Sequence, residues 1–258
     1  MNRTLYLIFA SLIIASVACS TLSGGEPSAT PLPPTALPAP TRTPQPTVDR
    51  TATAEVVATE EMAQLEELVA PDLELAGYSL DEGQLGYAAS EDKALTTNLF
   101  NSYTYDNLDS SHPSFANFVL GLDVQWDSET GVAGCEIAFR AEEDIEQGEH
   151  VRFRTLRLSG FPGWVVWLIN FNEIQANLTA GGVQSSSVIK LASGSTNHYV
   201  LVADGTSFVV YANGERIGAG TMPARVSEGQ ILFTAWQESG LTTCTFSNIW
   251  VWELPDNE

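Results

Sequence analysis

At 258 residues the chain has room for one large domain, and 44% hydrophobic with 9% aromatic residues can supply its core. The formal net charge is -21, from 11 Lys and Arg against 32 Asp and Glu. A surface of that sign repels nucleic acid and anionic lipid headgroups, which excludes both as partners, and the acidity itself reads first as a solubility device.

Residues 1–19 have the form of a secretory signal peptide. Arg3 precedes an apolar run from Leu5 to Val17 that ends in small residues. The run falls short of the roughly 20 residues a spanning helix needs. Its end, Ser16-Val17-Ala18-Cys19, resembles the lipobox of bacterial lipoproteins, with Ser16 where that family usually carries Leu. The resemblance implies lipidation of Cys19, each buried methylene contributing about 0.8 kcal/mol. It also implies an exported protein, anchored to the membrane and facing the extracytoplasmic space. Residues 20–47 hold eight of the 13 prolines, among Thr, Ser and Ala. Proline fixes φ and removes donors, so this stretch is a disordered, extended linker. Residues 48–71 turn rich in Ala and Glu, with Met62, Leu65 and Leu68 among them, which predicts a short stalk helix stopped by Pro71. Its apolar stripe is too short for a coiled coil, so a solvated helix is favoured over a docking one.

From residue 72 to 258 the pattern is all-β. Candidate strands are Gln84–Ser90, Leu95–Leu108, Phe115–Trp126, Val132–Arg140, Val151–Leu158, Trp164–Phe171, Glu173–Leu178 and Ser187–Leu191. A meander from His198 to Leu254 follows. Phe118, Leu120, Leu122 and Val124 share one face of their strand, with Val119, Asp123 and Gln125 on the other. Val151 and Phe153 interleave with Arg152, Arg154 and Arg157, whereas Trp164–Phe171 shows no alternation and should be covered on both faces. Asp204-Gly205 and Asn213-Gly214 suit two-residue hairpin turns, because Gly, Asn and Asp tolerate positive φ. The sum is an antiparallel β-sandwich, a jelly roll.

The strand motifs carry a resemblance. Phe118, Leu120, Asp123 and Trp126 look like a strand of concanavalin A-like jelly rolls, and Gly134–Arg140 like the next. Phe208–Gly214 resembles the hairpin of laminin-G-like and glucanase-like modules, and Gly229–Phe233 with Phe246–Trp252 the closing strands. The domain is also similar to modules grouped with 3-keto-disaccharide hydrolases. The resemblance implies a concanavalin A-like fold, which hosts lectins, adhesion modules and glycosidases alike.

Retaining glucanases of this fold carry a Glu-x-Asp-x-Glu strand whose two Glu are nucleophile and acid/base. Glu142-Glu143-Asp144-Ile145-Glu146 matches that spacing, but its charged Glu143 and its place between strand patterns predict a solvated hairpin loop. No catalytic residue is assigned. His112, His150 and His198 stand apart from other ligand-type residues, so no metal and no cofactor is expected. With Cys19 acylated, Cys135 and Cys244 remain, and in an oxidising compartment they pair into a disulfide between adjacent strands; two buried thiols are the alternative.

Sugar sites use exposed aromatic faces, whereas most of the six Trp of a sandwich belong to its core. Trp164, Trp167 and Trp236 are the candidate ligand-binding aromatics, with Arg154 and Asn172 as polar partners. Trp164 and Trp167 lie on opposite faces, so at most one of them meets a concave surface. The expected function is a lipid-anchored, non-catalytic module that binds a glycan or other cell-surface ligand. A glycoside hydrolase of the same fold and a protein-binding adhesion module are the alternatives.

Overall fold

The computed structural model describes residues 66–128 and 131–255. The lipobox-like motif at Cys19, the 20–47 linker and the start of the 48–71 helix lie outside the described residues.

Helix α1 covers residues 66–76 and runs through Pro71, which was expected to end it. An interior proline costs ~3 kcal/mol. Val69 and Leu73, both at 0% exposure, offset it by packing against Val119, Val200, Val202, Trp250 and Trp252. Burial of such side chains stabilises by roughly 1.5–3 kcal/mol each. The helix therefore docks on the sandwich and is not a solvated stalk. It ends instead at Gly77, at φ 89°, where Tyr78 N–H donates to the Leu73 carbonyl at 2.8 Å and Gly77 N–H to that of Glu74 at 3.0 Å. This is the Schellman cap that a left-handed glycine allows.

Among the described residues fifteen strands follow. They begin with β1 (Gln84–Ala88), β2 (Lys93–Thr97), β3 (Ser102–Asn107), β4 (Ser114–Phe115) and β5 (Phe118–Ser128). The middle of the chain forms β6 (Val132–Ala141), β7 (His150–Leu158), β8 (Phe161–Asn170), β9 (Glu173–Asn177) and β10 (Gln184–Ser185). The meander forms β11 (Thr196–Asp204), β12 (Ser207–Ala212), β13 (Glu215–Thr221), β14 (Gly229–Gln237) and β15 (Thr242–Glu253). Sheet A runs β1-β15-β5-β11-β12-β13, with β2 also on β15. Sheet B runs β10-β8-β7-β6-β14-β3, with β9 on β8 and β4 on β14. All pairings are antiparallel, as the alternation requires, and the fold is the expected jelly-roll sandwich.

Two expected strands come out differently. Leu95–Leu108 is β2 and β3, in opposite sheets, because residues 98–101 turn and carry the chain across. Asn101 takes φ 47° there, a conformation Asn adopts more readily than most residues. Ser187–Leu191 is not a strand. Its backbone is satisfied locally, since Ile189 N–H donates to the Ser186 carbonyl and Lys190 N–H to Asn197 Oδ1. The Asn213-Gly214 turn holds as expected, whereas the other turn lies one residue on from Asp204-Gly205, at Gly205-Thr206. Asn213 and Gly214 are both left-handed, at φ 49° and 82°, between β12 and β13. The other hairpin, between Asp204 and Ser207, turns on Gly205 at φ 53°.

Between the sheets lie Phe118, Leu120, Leu122 and Trp126 of β5 and Leu201 of β11, facing Ile137, Phe139, Phe153 and Phe233 of sheet B. Cys135 and Cys244 form a disulfide with Cα atoms 5.8 Å apart. It does not join adjacent strands: β6 belongs to sheet B and β15 to sheet A, so it ties the two layers across the core. Reversal of the pleat at each residue turns both Cys inward, which places the bond inside the sandwich. The loop it closes spans a sequence separation of 109. Replacing both Cys by Ala should therefore cost about 2–5 kcal/mol in urea unfolding. A wild-type midpoint that is the same with and without reductant would contradict this.

A second tie fastens α1. His198 Nδ1 lies 2.8 Å from Asp123 Oδ1 and its Nε2 lies 2.9 Å from Asp72 Oδ2. Asn248 Nδ2 donates to the other Asp123 oxygen at 2.8 Å. The hydrogen bonds to Asp123 and then Asp72 raise His198 from 6.5 to about 9. A raised pKa means that the folded state favours the proton, so this contribution is complete below pH 6.5 and is lost as pH rises through about 9. The urea midpoint should fall between those pH values in the wild type and fall less in His198→Gln; parallel profiles would remove His198 as the cause.

Candidate functional site

The outer face of sheet A packs against α1, and the outer face of sheet B is itself largely covered, with Glu136 and Val165 at 0% and Ile169 at 2% exposure, so that what reaches solvent there is a cleft. Period-two alternation selects what it shows. On β7, Val151 and Phe153 face the core and Arg152, Arg154 and Leu156 point outward. On β8, Trp164, Val166 and Leu168 face the core, while Val165, Trp167 and Ile169 point outward. Glu136 of β6 and Trp236 of β14 join this outer set, and β3 adds Tyr103 and Tyr105. Cross-strand register aligns them: Glu136 stands opposite Arg154, Arg152 opposite Trp167, and Trp236 opposite Tyr103.

The centre is a buried ion set under an aromatic clamp. Glu136 is at 0% exposure. One of its oxygens pairs with Arg154 Nη2, and the other lies 3.4 Å from Arg152 Nη1. Arg154 Cζ sits 4.7 Å from the Trp167 ring centre and 4.6 Å from that of Trp236, so the guanidinium is gripped by two indoles. Gly134, beside Trp236 on β6, makes room, since a Cβ there would stand 3.3 Å from Arg154 Cγ and 2.8 Å from the Thr155 carbonyl. Burial lowers the Arg154 pKa and Glu136 opposes the shift. On the far side, Arg152 Nη2 donates to His150 Nε2 at 2.8 Å. That ring is neutral, because burial and then Arg152 push it down to about 3. Trp167 Nε1 donates to Asn177 Oδ1 at 2.6 Å, which fixes the indole plane.

Above this floor opens a cleft of about 220 Å³. Asn101 and Tyr103 form one wall, Ile169 and Ile174 the other. Asn172 closes the rim by donating from Nδ2 to the Tyr103 hydroxyl at 3.0 Å. The β8–β9 turn that carries it is a two-residue hairpin loop: Phe171 and Asn172 are both left-handed, at φ 51° and 55°. That conformation suits Asn, and Phe171 stands exposed beside it.

Of the five sequence-chosen residues, the structure brings Trp167, Trp236, Arg154 and Asn172 into one cleft. Trp164 does not join them and is corrected to the core. It is 3% exposed between the sheets, and a Cβ on Gly218 would lie 2.0 Å from its ring, so the ring fills the space that glycine leaves. Sequence reasoning missed Glu136, Arg152 and Tyr103. Arg152 was readable from its spacing of two from Arg154. Glu136 sits among apolar residues of β6, and only register shows that it meets both arginines.

The run Glu142–Glu146 forms the β6–β7 loop, where Asp144 Oδ1 accepts the N–H groups of Glu146 and Gln147. Its carboxylates thus share no strand face. Among the described residues no group of three or more His, Cys, Asp and Glu is placed to hold a metal ion.

No model of a known protein family matches the chain, and no curated protein matches its sequence. Among solved structures it is similar to a protein of unknown function with a galectin-like fold from Bacillus subtilis. That match has 10% identity over 68% of this chain and 99% of the other, with a TM-score of 0.52. The carbohydrate-binding module CBM66 of Bacillus subtilis shows 14% identity over 61% and 86%, with a TM-score of 0.48. A lichenase from a mouse hindgut metagenome shows 10% identity over 65% and 83%, with a TM-score of 0.43. At such identities the likeness is one of fold.

The buried ion set is open to test by itself. Glu136→Gln leaves two guanidiniums without their carboxylate, which should cost about 3–5 kcal/mol in urea unfolding. A loss below 1 kcal/mol, within the range of an exposed pair, would show the set to be more hydrated than the geometry implies.

Proposed function

We propose that this chain binds carbohydrate in the cleft on sheet B and does not process it. The observation that carries the reading is Arg154, held between Trp167 and Trp236 over buried Glu136 at the floor of the cleft. Such a group is oriented before any ligand arrives, so little side-chain entropy remains to be lost on binding. Asn172, Tyr103 and Asn101 supply neutral donors and acceptors for hydroxyls around it, and Ile174 an apolar edge. The galectin-like fold agrees with the reading but does not choose it, since one fold hosts many functions. The placement of Glu142–Glu146 in a loop favours binding over glycoside hydrolysis, because that chemistry needs two carboxylates held on either side of one bond. In this reading the Cys19 lipid anchor and the proline-rich linker hold the sandwich away from a membrane surface, where cell-surface glycans are within reach.

A glycan array with the purified chain, followed by intrinsic Trp fluorescence for each hit, tests the reading. Binding without product release is expected, weakened about thirtyfold in Trp236→Ala, which is the ~2 kcal/mol loss typical of a central aromatic contact. Product release would make the protein a hydrolase, and silence across the array would leave the adhesion-module reading in its place.

A further inference from the structure

The cleft has the opposite sign from the molecule around it. The chain carries a formal net charge of -21, yet the charged side chains lining this cleft are Arg152 and Arg154. The carboxylate that touches them, Glu136, lies beneath both and is fully buried. One carboxylate against two guanidiniums leaves one positive charge for the opening. His150, behind Arg152, stays neutral and adds none. Glu143, Asp144 and Glu146 line the neighbouring hollow beside Tyr105 and do not line the cleft.

A cation in a recess poor in water attracts an anion more strongly than the same cation at a hydrated surface. A guanidinium also presents a planar fork of donors, which matches the paired oxygens of a carboxylate or sulfate. Here the Arg154 fork is held by two indoles, so its orientation is set by packing. At physiological ionic strength the screening length is about 8 Å. The acidic surface farther away is thus damped, and the arginines inside the cleft dominate for a group that enters it.

Building on the carbohydrate-binding reading, we infer that the cleft takes a saccharide bearing an anionic group, a uronate carboxylate or a sulfate ester. The anionic group meets the Arg154 guanidinium, and Arg152, whose terminal nitrogens are spent on Glu136 and His150, adds its charge from behind. Asn172 and Tyr103 contact the ring hydroxyls. The acidic loop at the adjacent hollow repels further charges, which selects a short or sparsely charged saccharide over a dense polyanion.

Calorimetric titration of the full chain with an oligogalacturonide, its carboxyl-reduced neutral counterpart and a sulfated oligosaccharide of equal length tests this. At least one acidic ligand should bind about tenfold more tightly than the neutral one, as expected for one charge-assisted hydrogen bond. The acidic arm that responds identifies the source of the charge. Arg154→Lys keeps a positive charge over Glu136 but loses the fork, and it should erase most of the preference. Asn172→Ala, at the rim, should weaken acidic and neutral ligands alike, and unfolding midpoints confirm that both variants fold. Equal affinity for acidic and neutral ligands would overturn the inference and leave carbohydrate binding standing. Acidic binding indifferent to Arg154→Lys would overturn the placement on the arginines, and absence of any saccharide binding would sink both readings.

Discussion

Burial of alternate side chains between two antiparallel sheets is the constraint on which the rest of this structure depends. A strand turns successive residues to opposite sides, so each inward Phe, Leu or Val obliges its neighbour to point outward. On β7, Val151 and Phe153 in the core oblige Arg152 and Arg154 to stand outside it. On β8, Trp164 inside obliges Val165 and Trp167 outside. The Cys135–Cys244 bond fixes the two layers to each other, and so the outward set is held as firmly as the core itself.

The two outer faces then meet different fates. Sheet A offers Val119, Val200, Val202, Trp250 and Trp252, and α1 covers them. Asp72 of that helix reaches His198, and His198 in turn reaches Asp123, so the cover is held by charge as well as by apolar contact. Sheet B offers a carboxylate, two guanidiniums and indoles, largely buried and reached by solvent through one cleft. Taking ions out of water is expensive, and an apolar cluster of equal volume is often at least as stable. The ion set beneath the cleft is thus explained poorly by stability and better by what it presents. The Phe171–Asn172 turn needs no such account, since a two-residue hairpin between Asn170 and Glu173 takes left-handed backbone at both positions.

Charge divides the molecule in a similar manner. Acidic residues dominate the chain as a whole, with 32 Asp and Glu against 11 Lys and Arg. Arg152 and Arg154 are concentrated at one place, paired below and clamped at the sides. Arg140 shows the contrasting use of the same side chain. It is buried and spends its donors on the carbonyls of Ala116, Gly205 and Val226, pinning loops with nothing left to offer a ligand.

Much was legible in the sequence alone. Strand alternation, Asn213-Gly214 and the absence of helical periodicity beyond α1 determined the sandwich, because each is a local property of the chain. The pairing of Cys135 with Cys244 was expected from their number together with the expectation of export. Opposite faces for Trp164 and Trp167 followed from their spacing. Tertiary structure alone decided the rest. Helix α1 passes Pro71 because the apolar surface that repays the proline belongs to strands more than forty positions away. The disulfide spans the sheets, and not neighbouring strands, because sheet membership is set by register and crossover. Glu136 meets Arg152 and Arg154 by cross-strand register, and Trp236 reaches Arg154 from β14, on the other side of β6. No spacing along one strand encodes a contact made across three.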